Sequence, residues 1–451
     1  MQNDTSHLSF QGGTLVLKNA RIDPPAPFQW IKAQWRCEAY HYPLLQDWLR
    51  NNHIRDTVPR WVHPHASLLD ERAPHDYQRE ALTAWEKHER RGSIVLPTGA
   101  GKTFVAIHAM FRADCSTLVV APTIDLLHQW YARLVNAFQT EIGAYYGGEK
   151  TIQPFTVTTY HSASDLIAEH GNAFKLIIFD EVHHLPAPSW GEAALMAPAP
   201  FRLGLTATYP EEHEQTDGRW RVNELIGPIV YTERIDDLVG NQLAEYRTER
   251  LRIDLTEVER QRYEADFQIY STFFRSRDLQ RTHGARWLME LNRLSAFDPD
   301  ARRAFLARRR ITELLAAAEG KYRALERLLR EYSAEQTIIF AENKKSAYRI
   351  ARQYLVPIIT AETKAAERKV ALDRFRAGQY KVLVTCEVLN EGVDVPEAKI
   401  AIVMGGTSGA REYIQRLGRV LRKVENRKAI LFEILARKTI EAQQSSRRGR
   451  K

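Results

Sequence analysis

Residues 175–187 read KLIIFDEVHHLPA. Four apolar side chains, Leu176 to Phe179, run without a break into Asp180 and Glu181, and two histidines follow. A short, continuous apolar run is the pattern of a strand buried on both faces, as in a parallel sheet covered by helices. A buried strand that ends in bare charge must aim that charge at water or at a ligand.

The same grammar recurs on both sides of this stretch. GSIVLP (92–97), TLVVAP (117–122), FTVTTY (155–160) and FRLGLTA (201–207) read as further buried strands. Helical stretches such as DLLHQWYARLVNAF (125–138) separate them. A second set follows near the C-terminal end: QTIIFA (336–341), VPIIT (356–360), YKVLVTC (380–386), AKIAIVM (398–404) and KAILFEIL (428–435). Alternation of this kind predicts two α/β domains. Between them, residues from about 250 to 315 are rich in arginine and aromatics and almost strand-free, which predicts a helical insertion. Residues 1 to about 70 read as a small separate unit. It has a hairpin around Gly12–Gly13, a short amphipathic helix in HYPLLQDWLRNN (41–52), and a proline-rich linker over 57–76. The final QQSSRRGRK (443–451) reads as a disordered basic tail.

With 451 residues there is material for about three domains. Charged residues make up 27% and hydrophobic residues 44%, an ordinary globular balance. The formal net charge of +8 favours a polyanionic partner, although a merely basic enzyme fits it equally well. Cys37, Cys115 and Cys386 lie far apart, which argues against a disulfide framework or a structural zinc site and for a reducing compartment. No apolar run is long enough to span a bilayer, and MQNDTSHLSF lacks the features of a signal peptide. The expectation is a soluble intracellular protein with no membrane partner.

VLPTGAGKT (95–103) lies between a strand and a helix. The backbone N–H groups of Gly99, Gly101 and Lys102 can curl around a phosphate, and the helix N-terminus adds its dipole. Thr98 and Ala100 complete the loop. Lys102 supplies charge to the β- and γ-phosphates and Thr103 a hydroxyl to Mg²⁺. Asp180 then becomes the Mg²⁺ ligand of a second strand beside the first, and Glu181 the group that polarises the attacking water. Gln78, in DYQREAL, is placed to read the N6/N7 edge of adenine, though a lone glutamine is ordinarily a surface residue. In REYIQRLGRVLR (411–422), Arg419 and Arg422 share a helix face with Gln415 and Arg416. They are candidates for neutralising charge on the γ-phosphate; the alternative is a solvated basic helix.

In order along the chain, DYQ, TGAGKT, APT, TTY, DEVHH, TAT, EGVDVP and QRLGR resemble the core motifs of superfamily-two helicases. FDEVHHLPA, FRLGLTAT and REYIQRLGRVLR are similar to the XPB branch, the DNA-unwinding ATPase of nucleotide excision repair and of transcription factor IIH. The resemblance runs over nearly the whole chain. It implies two RecA-like parallel-sheet domains at 71–235 and 236–445, an α-helical thumb at about 250–315, a small α+β N-terminal damage-recognition-like domain at 1–70, and a tail at 446–451.

It also implies residue roles. His184 couples the nucleotide site to the DNA side, and Thr206 and Thr208 link hydrolysis to lobe movement. Thr123 and Thr159 contact the nucleic-acid backbone, and Gly392 and Asp394 line the nucleotide cleft. The thumb offers Arg275, Arg277, Arg281 and Arg286, with Phe274 and Trp287 interleaved, either to grip DNA and stack on bases or simply as an amphipathic hairpin with a solvated arginine face. One departure stands out. The family carries Arg-Glu-Asp before a glycine after TAT, and here Gln215 and Thr216 replace the first two, leaving only Asp217. His75 stands where an arginine is common.

The resemblance thus implies a 3′–5′ DNA helicase or translocase in DNA repair, dependent on ATP and Mg²⁺, acting on single-stranded, forked or damaged duplex DNA and associated with the nucleoid. The choice of DNA over RNA rests on the resemblance. Two alternatives stand beside it: a double-strand translocase that does not separate strands, favoured by the altered loop, and an ATP-gated DNA-binding scaffold that recruits a nuclease.

Overall fold

The computed structural model describes residues 6–97, 99–210, 221–233, 246–279, 287–360, 362–386, 398–405 and 429–442. These form two compact units, the first ending at Glu233 and the second beginning at Tyr246.

The first unit opens with a five-stranded sheet: β1 (His7–Gln11), β2 (Thr14–Lys18), β3 (Gln29–Ile31), β4 (Gln34–Glu38) and β5 (Arg55–Asp56), in the order β3-β4-β2-β1-β5. Gly12 and Gly13 close the β1–β2 hairpin with φ of 56° and 74°, the left-handed region that a two-residue turn needs. Gly13 is required twice. A Cβ there would lie 2.5 Å from Cγ of Met196, in the larger layer below. The expected helix over 41–52 is α-helical only at Gln46–Asn51; Pro43 lies inside a 3₁₀ segment, Ala39–Leu45, that leads into it.

The larger sheet of this unit has eight strands: β6 (Arg91–Val95), β7 (Thr117–Ala121), β8 (Ile142–Tyr146), β9 (Glu149–Thr151), β10 (Phe155–Thr159), β11 (Leu176–Asp180), β12 (Phe201–Thr206) and β13 (Ile229–Thr232). Their order is β13-β6-β12-β11-β7-β10-β8-β9, parallel except for the β8–β9 hairpin at one edge. Strands β7, β10 and β11 are buried at every position, as continuous apolar runs require. Two expectations are corrected. The strand carrying Asp180 does not lie beside the strand leading to TGAGKT, because β12 is inserted between them. From β6 the chain runs to β7, out to β8 and β9 at the edge, then back through β10 and β11 to β12, which fills the gap, and this opens a crevice at the carboxyl ends of the strands. The linker over 57–75 is also pinned to this layer: Val62 and Ser116 exchange bonds, and Leu69 N–H donates to Ala137 O at 2.8 Å.

Arg202 on β12 ties the small sheet to the large one. It is fully buried, and its guanidinium donates to the carbonyls of Ala194, Ala197, Ala199 and Leu225 at 2.7 to 3.2 Å. Tyr40 lays its ring 4.8 Å from this guanidinium and 5.3 Å from that of Arg91. Burial pushes Arg202 down to about 9, so it stays charged at neutral pH.

The second unit is built on a six-stranded parallel sheet: β14 (Tyr246–Ile253), β15 (Thr337–Phe340), β16 (Ile358–Ile359), β17 (Val382–Thr385), β18 (Ile400–Val403) and β19 (Ala429–Ala436), in the order β14-β19-β18-β15-β17-β16. The segment expected to be strand-free from about 250 therefore begins inside β14, which pairs with β19 along its full length. From Glu249 to Ile253 half-buried and exposed residues alternate, the mark of an edge strand with one open face. Helices Glu257–Ser276, Trp287–Leu294 and Pro299–Ala317 follow. Ala301, Ala304 and Ala307 are fully buried at helical spacing, and small side chains allow the helices to pack closely. No helix among the described residues is long and apolar enough to cross a membrane. The three cysteines are buried and form no disulfide among the described residues, with Cys115 pushed up to about 11 by burial.

Behind this sheet Lys321, fully buried, donates to Met404 O at 2.9 Å and to Glu441 Oε1 at 2.7 Å. Nearby, Glu342 has a buried Oε2 with no hydrogen-bond partner among the described residues. Burial raises it to about 7, against the pull of Lys321, with Glu441 pushing the same way as burial and Arg308 opposing.

Two stability tests follow from these buried groups. Replacing Arg202 by Met leaves four carbonyls without their donor and is expected to destabilise the first unit by about 3 kcal/mol in a denaturant titration. Glu342 has a raised pKa in the folded state, so its ionisation destabilises progressively as pH rises from about 4.5 through 7. Glu342→Gln is expected to melt like the wild type at pH 4.5 and above it at pH 8; equal melting temperatures at both would contradict this.

Candidate active site

The crevice at the carboxyl ends of β6, β12 and β11 brings together Lys102, Asp180 and Glu181. The loop after β6 turns through Gly99 and Gly101, with φ of 88° and 82°, and Gly101 caps helix Lys102–Ala113. At Gly101 a Cβ would meet Gln78 Nε2 at 2.5 Å, so glycine is required on both counts.

Lys102 is 5% exposed and its ammonium makes no hydrogen bond among the described residues; the nearest acid oxygen is Glu181 Oε1 at 3.4 Å. A buried cation left short of acceptors beside curled backbone N–H groups fits a phosphate chain. The residues present therefore fit a nucleotide, and Thr103 and Asp180 fit its divalent metal by the hard-oxygen character of their donors.

Asp180 is 6% exposed and held on several sides. Its Oδ2 accepts from Trp130 Nε1 at 2.8 Å, its Oδ1 from Glu181 N–H at 3.1 Å, and its carbonyl from Tyr160 Oη at 3.1 Å. Burial, then the charges of Asp180 and Glu181, hold Tyr160 well above the usual phenol range, so it remains a donor. Glu181 has left-handed backbone, φ 49° and ψ 56°, at a local cost of about 1–2 kcal/mol. That conformation ends the strand abruptly and places the carboxylate between Lys102 and His183, whose Nδ1 lies 3.5 Å from Oε2.

Here the structure corrects the histidine assignment. His183, not His184, faces this site: its Nδ1 also lies 3.0 Å from Thr206 Oγ1 at the end of β12. His184 turns into an aromatic group with Tyr160 and Trp190, at ring distances of 6.3 and 5.7 Å. Residues 182–184 form a 3₁₀ turn, in which successive side chains point about 120° apart. Thr206 in turn accepts from Thr208 N–H at 3.1 Å and donates to its carbonyl at 2.7 Å.

Other expectations shift too. Gln78 is buried, and its Nε2 donates to Ala100 O at 3.0 Å while Oε1 accepts from His75 N–H. In this arrangement its amide braces the loop rather than facing a base edge. Thr123 and Thr159 use their hydroxyls to cap helices Ile124–Phe138 and Tyr160–His170, accepting from Leu126 and Ser162 N–H. Phe274 and Trp287 pack edge to face at 5.0 Å on the core of the helical layer rather than standing free to stack on bases. Arg275 bonds Ser271, and Arg277 pairs with Asp298 at 2.9 Å. Thr98, Gln215, Thr216, Asp217, Arg281, Arg286, Gly392, Asp394, Gln415, Arg416, Arg419 and Arg422 lie outside the described residues. Sequence reasoning missed Trp130, Tyr160, His183 and Arg133. The signal available was spacing: Trp130 and Arg133 are three apart on one helix that begins at the end of a buried strand.

Trp130→Phe keeps the packing and removes one donor from Asp180. The Mg²⁺ concentration needed for half-maximal nucleotide binding is expected to rise about threefold to tenfold, the scale of one hydrogen bond to a charged group. An unchanged Mg²⁺ requirement would remove Trp130 from that role.

The family described as the res subunit of type III restriction enzymes matches residues 71–211, and the helicase conserved C-terminal domain matches residues 320–424. A protein of Sulfurisphaera tokodaii described as DNA 3′-5′ translocase XPB2 is 41% identical over 386 residues, 85% of this chain and 86% of that one. A protein of Mycobacterium tuberculosis described as DNA 3′-5′ helicase XPB is 30% identical over 391 residues, 83% of this chain and 63% of that longer protein. The Hef helicase domain of Pyrococcus furiosus matches in structure with a TM-score of 0.53 at 20% identity, covering 83% of this chain and 98% of that one, which supports the fold alone. With its parallel-sheet units, its glycine loop and these relatives, the chain belongs to the XPB family of superfamily-two helicases.

Proposed function

We propose that the protein is an ATP- and Mg²⁺-dependent DNA translocase with 3′–5′ polarity, able to act as a helicase in DNA repair. The observation that carries this reading is the ammonium of Lys102, buried without a hydrogen bond among the described residues at the mouth of a glycine loop and faced by Glu181. In it, Lys102 and the backbone N–H groups around Gly99 and Gly101 bind the triphosphate. Thr103 and Asp180 would hold Mg²⁺, which supplies positive charge between the β- and γ-phosphates. Trp130 and Tyr160 keep Asp180 oriented. Glu181 accepts the proton of the attacking water, and His183 relays its position to Thr206 on β12. On sequence grounds Gln415, Arg419 and Arg422 are assigned to the same hydrolysis step, and Gly392 and Asp394 to nucleotide binding.

DNA contacts are assigned to the ends of helices Ile124–Phe138 and Tyr160–His170, where backbone N–H groups attract phosphate. The altered loop with Gln215 and Thr216 favours a second reading, movement along duplex DNA without strand separation. A nuclease partner and a nucleoid location stay within the proposal.

Two measurements test it. Glu181→Gln is expected to retain ATP binding and to slow hydrolysis by about 10²–10⁴-fold, since only the proton acceptor is lost; wild-type turnover would sink the assignment. The steady-state ATPase rate is then compared without nucleic acid and with single-stranded, forked and blunt duplex DNA and RNA. Stimulation by single-stranded or forked DNA supports unwinding, equal stimulation by blunt duplex supports translocation alone, and stimulation by RNA alone overturns the DNA assignment. DNA affinity is expected to fall steeply with salt, as phosphate contacts release counterions.

A further inference from the structure

Helix Ile124–Phe138 reaches the crevice twice. Trp130, on its buried face, holds the carboxylate of Asp180. One turn further, Arg133 donates from Nη1 to Oγ1 of Thr103 at 2.8 Å. Thr103 is the second residue of helix Lys102–Ala113, and its hydroxyl is the one the nucleotide reading assigns to Mg²⁺. The side chain of Arg133 is exposed, so its charge stands in the crevice mouth rather than in the core.

These contacts set up a conflict of charge. A threonine hydroxyl has two lone pairs, so a guanidinium N–H and a metal ion could both reach it sterically. Electrostatically they cannot share it well, because a divalent and a monovalent cation would then lie within about 5 Å of each other. When a metal–nucleotide complex enters, Arg133 must give up Thr103. Phosphate oxygens on the metal side of the nucleotide are acceptors it could then take, and a planar guanidinium matches phosphate well.

We propose that Arg133 is a phosphate-binding arginine supplied by the same unit as the glycine loop, which holds Thr103 in the nucleotide-free protein and exchanges it for nucleotide phosphate when Mg²⁺·ATP binds. This inference rests on the ATP reading above. It adds a cation that does not depend on any residue of the second unit. It also makes helix Ile124–Phe138 responsive to the nucleotide at both Asp180 and Thr103.

The test uses the full chain and equilibrium binding of methylanthraniloyl-ATP, read by fluorescence with and without Mg²⁺. Arg133→Ala is expected to weaken binding in Mg²⁺ about tenfold or more, the scale of a charge-assisted hydrogen bond. Arg133→Gln separates the charge from the polarity of the side chain: it keeps an amide donor at this position but carries no charge. The proposal expects Arg133→Gln to lose as much affinity as Arg133→Ala. Wild-type affinity in Arg133→Gln would reduce the residue to a brace and overturn it, as would wild-type affinity in Arg133→Ala. Thermal melting without nucleotide is expected to be unchanged in both, because the side chain is exposed. Lys102→Ala is the control: if it binds as well as the wild type, the ATP reading fails and this inference with it. If Lys102→Ala loses binding while both Arg133 variants keep it, the inference fails alone.

Discussion

Lys102 sets the terms for the first unit. An ammonium that is 5% exposed has lost most of its water, and Glu181 at 3.4 Å offsets only part of that loss because no hydrogen bond joins them. The arrangement is stable only because the carboxylate is forced close, and the force is local backbone strain: Glu181 holds φ 49°, where a side chain with a Cβ is disfavoured. The strain is sustained by its surroundings. Val182 is fully buried beneath the turn, and Asp180 on the other side is fixed by Trp130 and Tyr160. In the proposed function, a ligand that brings phosphate oxygens to Lys102 relieves the deficit and frees Glu181 for chemistry. Binding and activation are thus two aspects of one electrostatic imbalance.

The insertion of β12 between β6 and β11 gives that imbalance its reach. Were the two strands adjacent, Lys102 and Asp180 would share one strand spacing and nothing would lie between them. Instead Thr206 ends β12 in the gap and accepts contact from His183, while Leu96 N–H bonds its carbonyl at 3.0 Å. The loop after β6, the acidic turn after β11 and the TAT segment after β12 are therefore cross-linked by hydrogen bonds at a single level of the sheet. A shift at any one of them is felt at the others without passing through the hydrophobic core, which is close-packed and resists deformation.

The sequence reported the strands well and the side-chain directions poorly, for a physical reason. Continuous apolar runs such as LIIF and TLVVA have only one stable home, a strand buried on both faces, so β7, β11, β15 and β18 were legible at once. The glycine loop was legible because only glycine tolerates its φ values. A short 3₁₀ turn has no such signature: in VHH a single step rotates the side chain by about 120°, so which histidine faces the site was hidden. Thr123 and Thr159 read as backbone-binding hydroxyls, yet a threonine at the end of a strand and the start of a helix caps that helix first. In the helical layer, arginines interleaved with aromatics suggested a stacking surface. Folding took the aromatics inward, since burying Phe274 and Trp287 against Tyr270 stabilises the layer more than exposing them would.

The caps also connect the two ends of the proposed cycle. Thr123 and Thr159 start the helices whose later residues, Trp130 and Tyr160, hold Asp180 by its carboxylate and its carbonyl. A phosphate drawn to either helix N-terminus would pull on an element that also holds Asp180, the proposed metal ligand. Tyr160 is the first residue of its helix and Trp130 the seventh of its own, within two turns of the cap, so little length is available for the motion to dissipate. An α-helix transmits displacement along its axis because its hydrogen bonds run parallel to it. On the proposed DNA contacts, stimulation of hydrolysis by a polyanion needs no dedicated relay in this fold, because the helices assigned to receive the phosphate are the ones that orient Asp180.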